Sequence, residues 1–331
     1  MAPTSKRAEA KSKKAGRPVA VLGATPWITR AQARADVAER RKIEIRRMPN
    51  NFFLRRFSKE RLQIIKDLIR HGLEPVVMVS EVDLIDKRVS RFCKIAKAAG
   101  ARVLISKRTT PYTGAWLRDT FTVVKNYRFV FPVDERLLGR RVGNKIYSYL
   151  GDSGGVINIE DKFLLVSKQI AFSAMNEISF LKKKGIVVFE MPPGFVKDAF
   201  KSQKRAKLKK HTHVDLFVNR IPGMKILLVD PQYYQANKAL LDNIATVTGY
   251  KIILVPEKER EFYPTNFLDL GTGKIMMNRA ARETAKRLAQ EGVKVVMTTA
   301  PLKGSSAMYS GLRCAVNLPG KTMQKIMQSS S

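Results

Sequence analysis

Five times along this chain a short apolar strand opens on or near a polar residue, and four of those strands continue through a turn into a second strand. The segments are RDTFTVVKNYRFVFP, SGGVINIEDKFLLVS, HVDLFVNRIPGMKILLVDP, NFLDLGTGKIMMN and RCAVNLP. Within them KN, EDK, IPGM and GTGK read as hairpin connectors. Helical segments follow, as in YYQANKALLDNIATVTG and AARETAKRLAQEG, and then a third strand such as KIILVP or VKVVMT. With Asp119, Gly154, His213, Asn266 and Cys314 as markers, the successive gaps are 35, 59, 53 and 48 residues. Recurrence at such a period means a repeat architecture, here an α/β fold of strand–strand–helix–strand units. If the units close into a ring, their first strands line the axis and the polar starts converge on one pocket.

Before the first unit, SKERLQIIKDLIRHG has the pattern of an amphipathic helix with a Ser cap and a Gly stop. PVVMVS then reads as a buried strand, DKRVSRFCKIAKAAG as a helix and ARVLIS as another strand. Cys93 is expected on the apolar face of that helix beside Ile95, as packing rather than chemistry. Residues 1–18 read as a basic disordered tail, and 19–325 as a single α/β domain. Two cysteines are too few for a disulfide framework and fit a reducing cytosol. No apolar run reaches the roughly 18–20 residues of a membrane span. VAVLGA is too short for a secretory core, so the expectation is a cytoplasmic protein with no membrane partner.

The formal net charge is +34. Residues 1–47 carry 13 Lys/Arg against 4 Asp/Glu, which leaves a surplus of 25 on the rest of the chain. The densest run, KSQKRAKLKKH at Lys201–His211, contains no acid. Such a surface attracts polyanions, nucleic acid first. A solvated Lys-rich surface is the competing reading, because no aromatic-interleaved RNA motif, zinc finger or basic zipper accompanies the charge along the sequence.

GDSGG, residues 151–155, also surrounds the nucleophile of chymotrypsin-like serine proteases. That chemistry needs a histidine and a buried aspartate upstream of the serine, on an all-β fold. Upstream of Ser153 stands His71 alone, at the end of an amphipathic helix, where it reads as a cation of the last turn. A strand-entry turn is the better reading of GDSGG.

WLRDT (Trp116–Thr120), GDSGG, HTHVD (His211–Asp215) and SGLRCAVNLP (Ser310–Pro319) together resemble the pentein superfamily of guanidino-group-modifying enzymes. Arg118–Asp119 is similar to that family's first-blade Arg-Asp pair, and His213-Val214-Asp215 to its His-x-Asp element. Ser310-Gly311-Leu312-Arg313-Cys314 is similar to its Gly-Gly-x-Arg-Cys element, with Ser in place of the first Gly. NFLDLGTGKIMMN looks like the strand–turn–strand that precedes the cysteine in deiminases. The resemblance covers residues 105–320 in the family's order and implies a five-bladed α/β propeller.

It also implies a cysteine hydrolase of the deiminase or dimethylaminohydrolase type, acting on a small guanidino substrate through a thiouronium, without cofactor or metal. Asp119 and Asp215 would hold the guanidinium N–H groups in fork geometry. Cys314 would attack as thiolate, with His213 as general acid and then base. Arg313 could bind a substrate carboxylate, and Arg118 belongs with Asp119 to the substrate-binding set, unless Asp119 is only a partner for Arg118. An amidinotransferase differs only in whether an amine or water resolves the intermediate. A third reading is a catalytically impaired pentein that binds RNA or the ribosome through its basic surface. HTH alone could be a metal pair, but no further Cys/His cluster completes it.

GDSGG departs from the family pattern, which has Glu-Gly-Gly there. Aligning the glycines puts Ser153 at the glutamate and Asp152 one residue early, on the opposite face if the segment is a strand. Either Asp152 reaches in through a bulge, or His213 acts without its usual partner, or catalysis is lost.

Overall fold

The computed structural model describes residues 59–80, 87–106, 121–130, 138–197 and 208–299. It opens with helix α1 (Lys59–Arg70), strand β1 (Val76–Ser80), helix α2 (Lys87–Ala98) and strand β2 (Arg102–Ser106), with β1 and β2 parallel. The stop of α1 is as its sequence suggests. Gly72 is left-handed at φ 72°, and the Leu73 N–H turns back to the Leu68 carbonyl. Ser58, the expected cap, lies outside the described residues. In α2 the buried stripe is Val89, Phe92, Cys93 and Ala96, the i, i+3, i+4, i+7 spacing of one helix face. Ile95 is off that stripe and 39% exposed, so it does not share the face of Cys93 as expected.

Next come β3 (Phe121–Val124), β4 (Tyr127–Val130), β5 (Arg141–Val142) and β6 (Lys145–Tyr147). After them stand β7 (Val156–Ile159), β8 (Phe163–Ser167), α3 (Lys168–Ser173), α4 (Met175–Lys183) and β9 (Val187–Met191). A further hairpin, β10 (Gly194–Lys197) with β11 (Leu208–His211), leads into β12 (Val218–Arg220), β13 (Ile226–Val229), α5 (Pro231–Ala236), α6 (Lys238–Thr248) and β14 (Lys251–Leu254). The last unit is β15 (Leu268–Gly271), β16 (Lys274–Asn278), α7 (Arg282–Gln290) and β17 (Lys294–Thr298).

Each of these four units has one topology. The first strand is antiparallel to the second, and the second is parallel to the third: β3-β4-β6, β7-β8-β9, β12-β13-β14 and β15-β16-β17. The four connectors make the expected hairpin turns. At 160–161 both central residues are left-handed, Glu160 at φ 55° and Asp161 at φ 56°. Their cost without glycine is offset locally: Asn158 Oδ1 accepts the Asp161 N–H, and Asp161 Oδ1 accepts the Lys125 N–H of the neighbouring turn. The one long helix expected over 233–248 is two. At Asn237 the side-chain amide donates to the Tyr233 carbonyl, a local bond that competes with helix continuation.

The middle strands explain the continuous apolar runs. Leu164 and Val166 of β8 enter one core while Leu165 enters another. In β13, Leu227 and Val229 face one side and Ile226 and Leu228 the other, and in β16 Met276 opposes Ile275 and Met277. With both faces covered, a period of two gives apolar residues at every position. The cores therefore lie between units consecutive in sequence: first with second, second with third, third with fourth. The fourth packs on the N-terminal pair, where Leu268 and Met276 meet Ile64, Leu68 and Phe92. These are mixed sheets packed face to face, with helices between successive strands. No helix among the described residues is long and apolar enough to cross a membrane.

Candidate active site

The β10–β11 hairpin delivers the chain to His213. The end of the basic run, Leu208–His211, is β11, and it pairs with β10 so that His211 stands opposite Gly194. Thr212 and His213 then leave the strand, and His213 caps a short 3₁₀ turn over Val214–Leu216. The His213 N–H donates to His211 Nδ1 at 3.2 Å, and the two rings meet edge to face with centroids 4.9 Å apart. The rings do not lie side by side on one strand face, as a metal pair at i and i+2 would. Among the described residues no group of three or more His, Cys, Asp or Glu is arranged to hold a metal ion.

Across from His213 lies the Asp152–Gly155 segment. It is not a strand, since β7 begins only at Val156. A 3₁₀ turn over Tyr149–Gly151 is capped at its start by the Ser148 hydroxyl, and the Asp152 N–H closes it onto the Tyr149 carbonyl. Asp152 Oδ1 accepts the Gly154 N–H at 3.1 Å, a side-chain-made turn. Its other oxygen lies 3.7 Å from His213 Nε2, and both side chains are about a quarter exposed, 23% and 26%. The strand-alternation argument that would send Asp152 to the opposite face does not apply, because this backbone curls rather than pleats.

The two glycines have separate structural reasons. A Cβ on Gly154 would fall 2.4 Å from His213 Nδ1 and 2.9 Å from Cγ, so the imidazole rests directly on bare backbone. A Cβ on Gly155 would fall 2.3 Å from Ile170 Cδ1, so this position lets α3 close onto the strand entry. Ser153 is buried and His71 is exposed in the turn after α1. The protease-like letters are accounted for by close packing.

Asp215 is 1% exposed. Its N–H donates to the Gly154 carbonyl at 3.1 Å, so the two facing turns are tied through backbone. Its Oδ2 accepts from Asn266 Nδ2 at 2.8 Å. Asn266 is itself 1% exposed and sits at the entry to β15. The preceding Thr265 adds two bonds to the same region: its hydroxyl donates to the Leu216 carbonyl at 2.7 Å, and its carbonyl accepts from Asn219 Nδ2 at 2.9 Å. Entry segments of the second, third and fourth units thus meet at His213 and Asp215. Asn266 marks the fourth repeat in the sequence, but its bond to Asp215 was not foreseen. The signal available was the rule that each first strand opens on a polar residue.

Of the residues singled out in the sequence, the structure brings His213, Asp152, Ser153 and Asp215 into one neighbourhood. Arg118, Asp119, Arg313 and Cys314 lie outside the described residues. A quarter-exposed imidazole beside a carboxylate, with a second carboxylate buried two residues on, can exchange protons and orient a cationic group.

No protein-family model matches the sequence, and no curated protein matches it either. Solved structures do match the fold. Agmatine deiminase from C. jejuni has a TM-score of 0.50 at 14% identity, over 78% of this chain and 86% of that one. DDAH from Pseudomonas aeruginosa has a TM-score of 0.47 at 12% identity, over 74% and 99%. An amidinotransferase from Microseira wollei has 0.45 at 13%, over 70% and 82%. The likeness is one of fold, to agmatine deiminase from C. jejuni, without detectable sequence similarity.

Proposed function

We propose that this protein is a cysteine hydrolase acting on the guanidino group of a small arginine-like compound. The observation that carries the reading is the His213 imidazole laid on Gly154 with the Asp152 carboxylate at 3.7 Å and the buried Asp215 two residues on. The fold shared with an agmatine deiminase supports it. So does the order of Asp119, His213, Asp215 and Cys314 along the sequence.

The reading includes closure into a five-bladed α/β propeller. Among the described residues, the pair β1–β2 lacks the antiparallel first strand that each of the other four units has. The remaining polar-start strand of the sequence, Arg313–Pro319, is the segment available to complete it. That pairing would carry Cys314 to the same end of the repeats as His213.

In this mechanism Asp119 and Asp215 hold the guanidinium plane through charge-assisted hydrogen bonds. The Cys314 thiolate attacks the central carbon, forming a C–S bond and a tetrahedral adduct. His213, as imidazolium beside Asp152, gives its proton to the departing amine as the C–N bond breaks, leaving a thiouronium. The neutral imidazole then takes a proton from water. The hydroxide adds to the same carbon and the C–S bond breaks, which yields a ureido product and the free thiolate. Asp152 supplies the negative charge beside the imidazolium that a serine at position 153 cannot. Arg313 would bind the carboxylate of an amino-acid substrate, and Arg118 would orient Asp119.

The test is to incubate the full-length protein with arginine, agmatine and methylated arginines and to assay ureido products, with Cys314→Ala alongside. Turnover abolished by Cys314→Ala is expected. No turnover of any of these by the wild type, with the variant indistinguishable from it, overturns the reading.

A further inference from the structure

A second feature of the molecule is independent of that site. On the outer sheet of the first unit, Arg141 Cζ lies 6.0 Å from the centroid of the Tyr127 ring. Tyr127 meets Phe180 of α4 edge to face, with centroids 4.9 Å apart and planes at 84°. Lys184 Nζ lies 5.8 Å from the centroid of Phe180. Lys125 Nζ donates to the Lys184 carbonyl at 2.7 Å, which brings a further cation to the same end. Arg128 and Lys145, register partners in β4 and β6, point to the opposite face of that sheet and take no part. The result is a ladder of cation, ring, ring and cation flanked by Lys125, built from segments far apart in the sequence.

Carboxylates pair with Lys225, Lys238, Lys251, Arg260 and Arg287 elsewhere in the described residues. No such pair engages Lys125, Arg141 or Lys184 among them. Asp161, the acid that touches this region, is occupied by the Lys125 N–H and Asn158. Cations held over ring faces and by a backbone carbonyl have lost part of their side-chain freedom already, so a phosphate that binds them costs less ordering entropy. The half-buried rings of Tyr127 and Phe180 lie between the charges, where an unstacked base can reach them and a paired base cannot. The exposed turn amides Asn126 and Asn144 border the patch and can both donate to and accept from a 2′-hydroxyl.

We propose that this face, Arg141–Tyr127–Phe180–Lys184 with Lys125, binds single-stranded RNA through its backbone phosphates. Leu138 and Val142 are exposed on the same edge, but two aliphatic side chains without an amphipathic helix offer little to insert into a bilayer.

The test uses full-length protein and a 5′-labelled oligouridine of 12 nucleotides, with fluorescence anisotropy over a salt series. The triple variant Lys125→Glu, Arg141→Glu, Lys184→Glu is compared with Arg279→Glu, Arg282→Glu, Lys286→Glu, which changes net charge equally on the fourth unit. The first triple is expected to weaken binding at least about tenfold and to make the log–log salt slope shallower by about 2, at roughly 0.7 per lost contact with a single strand. The control triple should leave the slope as in wild type. Glutamine versions of the first triple keep the test valid should the glutamates disturb folding. A flat wild-type slope overturns the proposal, as does an equal loss in both triples. Equal binding of oligothymidine removes the assignment to RNA. A loss confined to phosphatidylserine vesicles would make the face a membrane surface instead.

Discussion

The Asn266 side-chain amide donates to the Asp215 carboxylate at 2.8 Å, and both residues are 1% exposed. They come from different repeats, so one unit fixes the orientation of another unit's acid. Asn266→Ala removes the donor and leaves a buried carboxylate oxygen without it, which should cost about 1–3 kcal/mol. Denaturant unfolding measures that, and in the proposed reaction a rise in KM for a guanidino compound would show the loss of orientation. Asn266→Asp places two carboxylates together, so one must take a proton. Its defect should exceed that of Asn266→Ala at pH 8 and diminish as the pH falls.

Gly154→Ala tests the contact between backbone and imidazole. The new Cβ would stand 2.4 Å from His213 Nδ1, and the ring has to move. A displacement of about 1 Å should lower kcat about 100-fold. The Cε1–H resonance of His213 should shift while circular dichroism stays that of wild type.

The two oxygens of Asp152 make separate contacts, Oδ1 with the Gly154 N–H and Oδ2 with His213. Asp152→Asn keeps an acceptor for the Gly154 N–H but removes the charge beside His213, so stability should hold while kcat falls. Asp152→Ala loses the turn bond as well and should cost about 1 kcal/mol more in unfolding measurements. Equal kcat in Asp152→Asn and wild type would remove Asp152 from the mechanism.

Ser153→Ala should leave turnover unchanged, and wild-type protein should not cleave casein. The buried serine is part of a turn and has no catalytic task in the proposed reaction.

Asp67 on α1 gives a pH dependence of folding. Burial opposes its charge, but hydrogen bonds from the Thr299 N–H and from the Gln63, Thr298 and Thr299 side chains outweigh that and hold its carboxyl below the usual range. With the folded value under the unfolded one, its stabilisation is complete above roughly pH 4 and disappears as pH falls through the folded value. Asp67→Asn should therefore melt below wild type at pH 7, and the two melting curves should converge in strong acid.

The sequence by itself determined the repeated strand–turn–strand segments and their hairpin turns. Hairpin chemistry at 125–126, 160–162, 221–224 and 271–274 is local, and it recurs often enough to be read without a structure. Alternation in β8, β13 and β16 was hidden because both faces are buried, yet the apolar runs still marked them as strands. The helices α3 and α4 and the β10–β11 hairpin were not singled out in the sequence. Phe172 and Met175 are 75% and 59% exposed, which blurs the helical period there, and β11 lies inside a run of lysines that reads as a solvated charge stretch. Only the tertiary structure decided where Asp152 points, because in an irregular turn the direction of a side chain follows from bonds to Gly154 and Tyr149 and not from sequence parity. It likewise decided that Asn266 serves Asp215 and that Tyr127 lies against Phe180. Those pairings join segments whose separation along the chain carries no periodic signal. They exist because successive sheets pack face to face and bring the entry turns and edges of different units together.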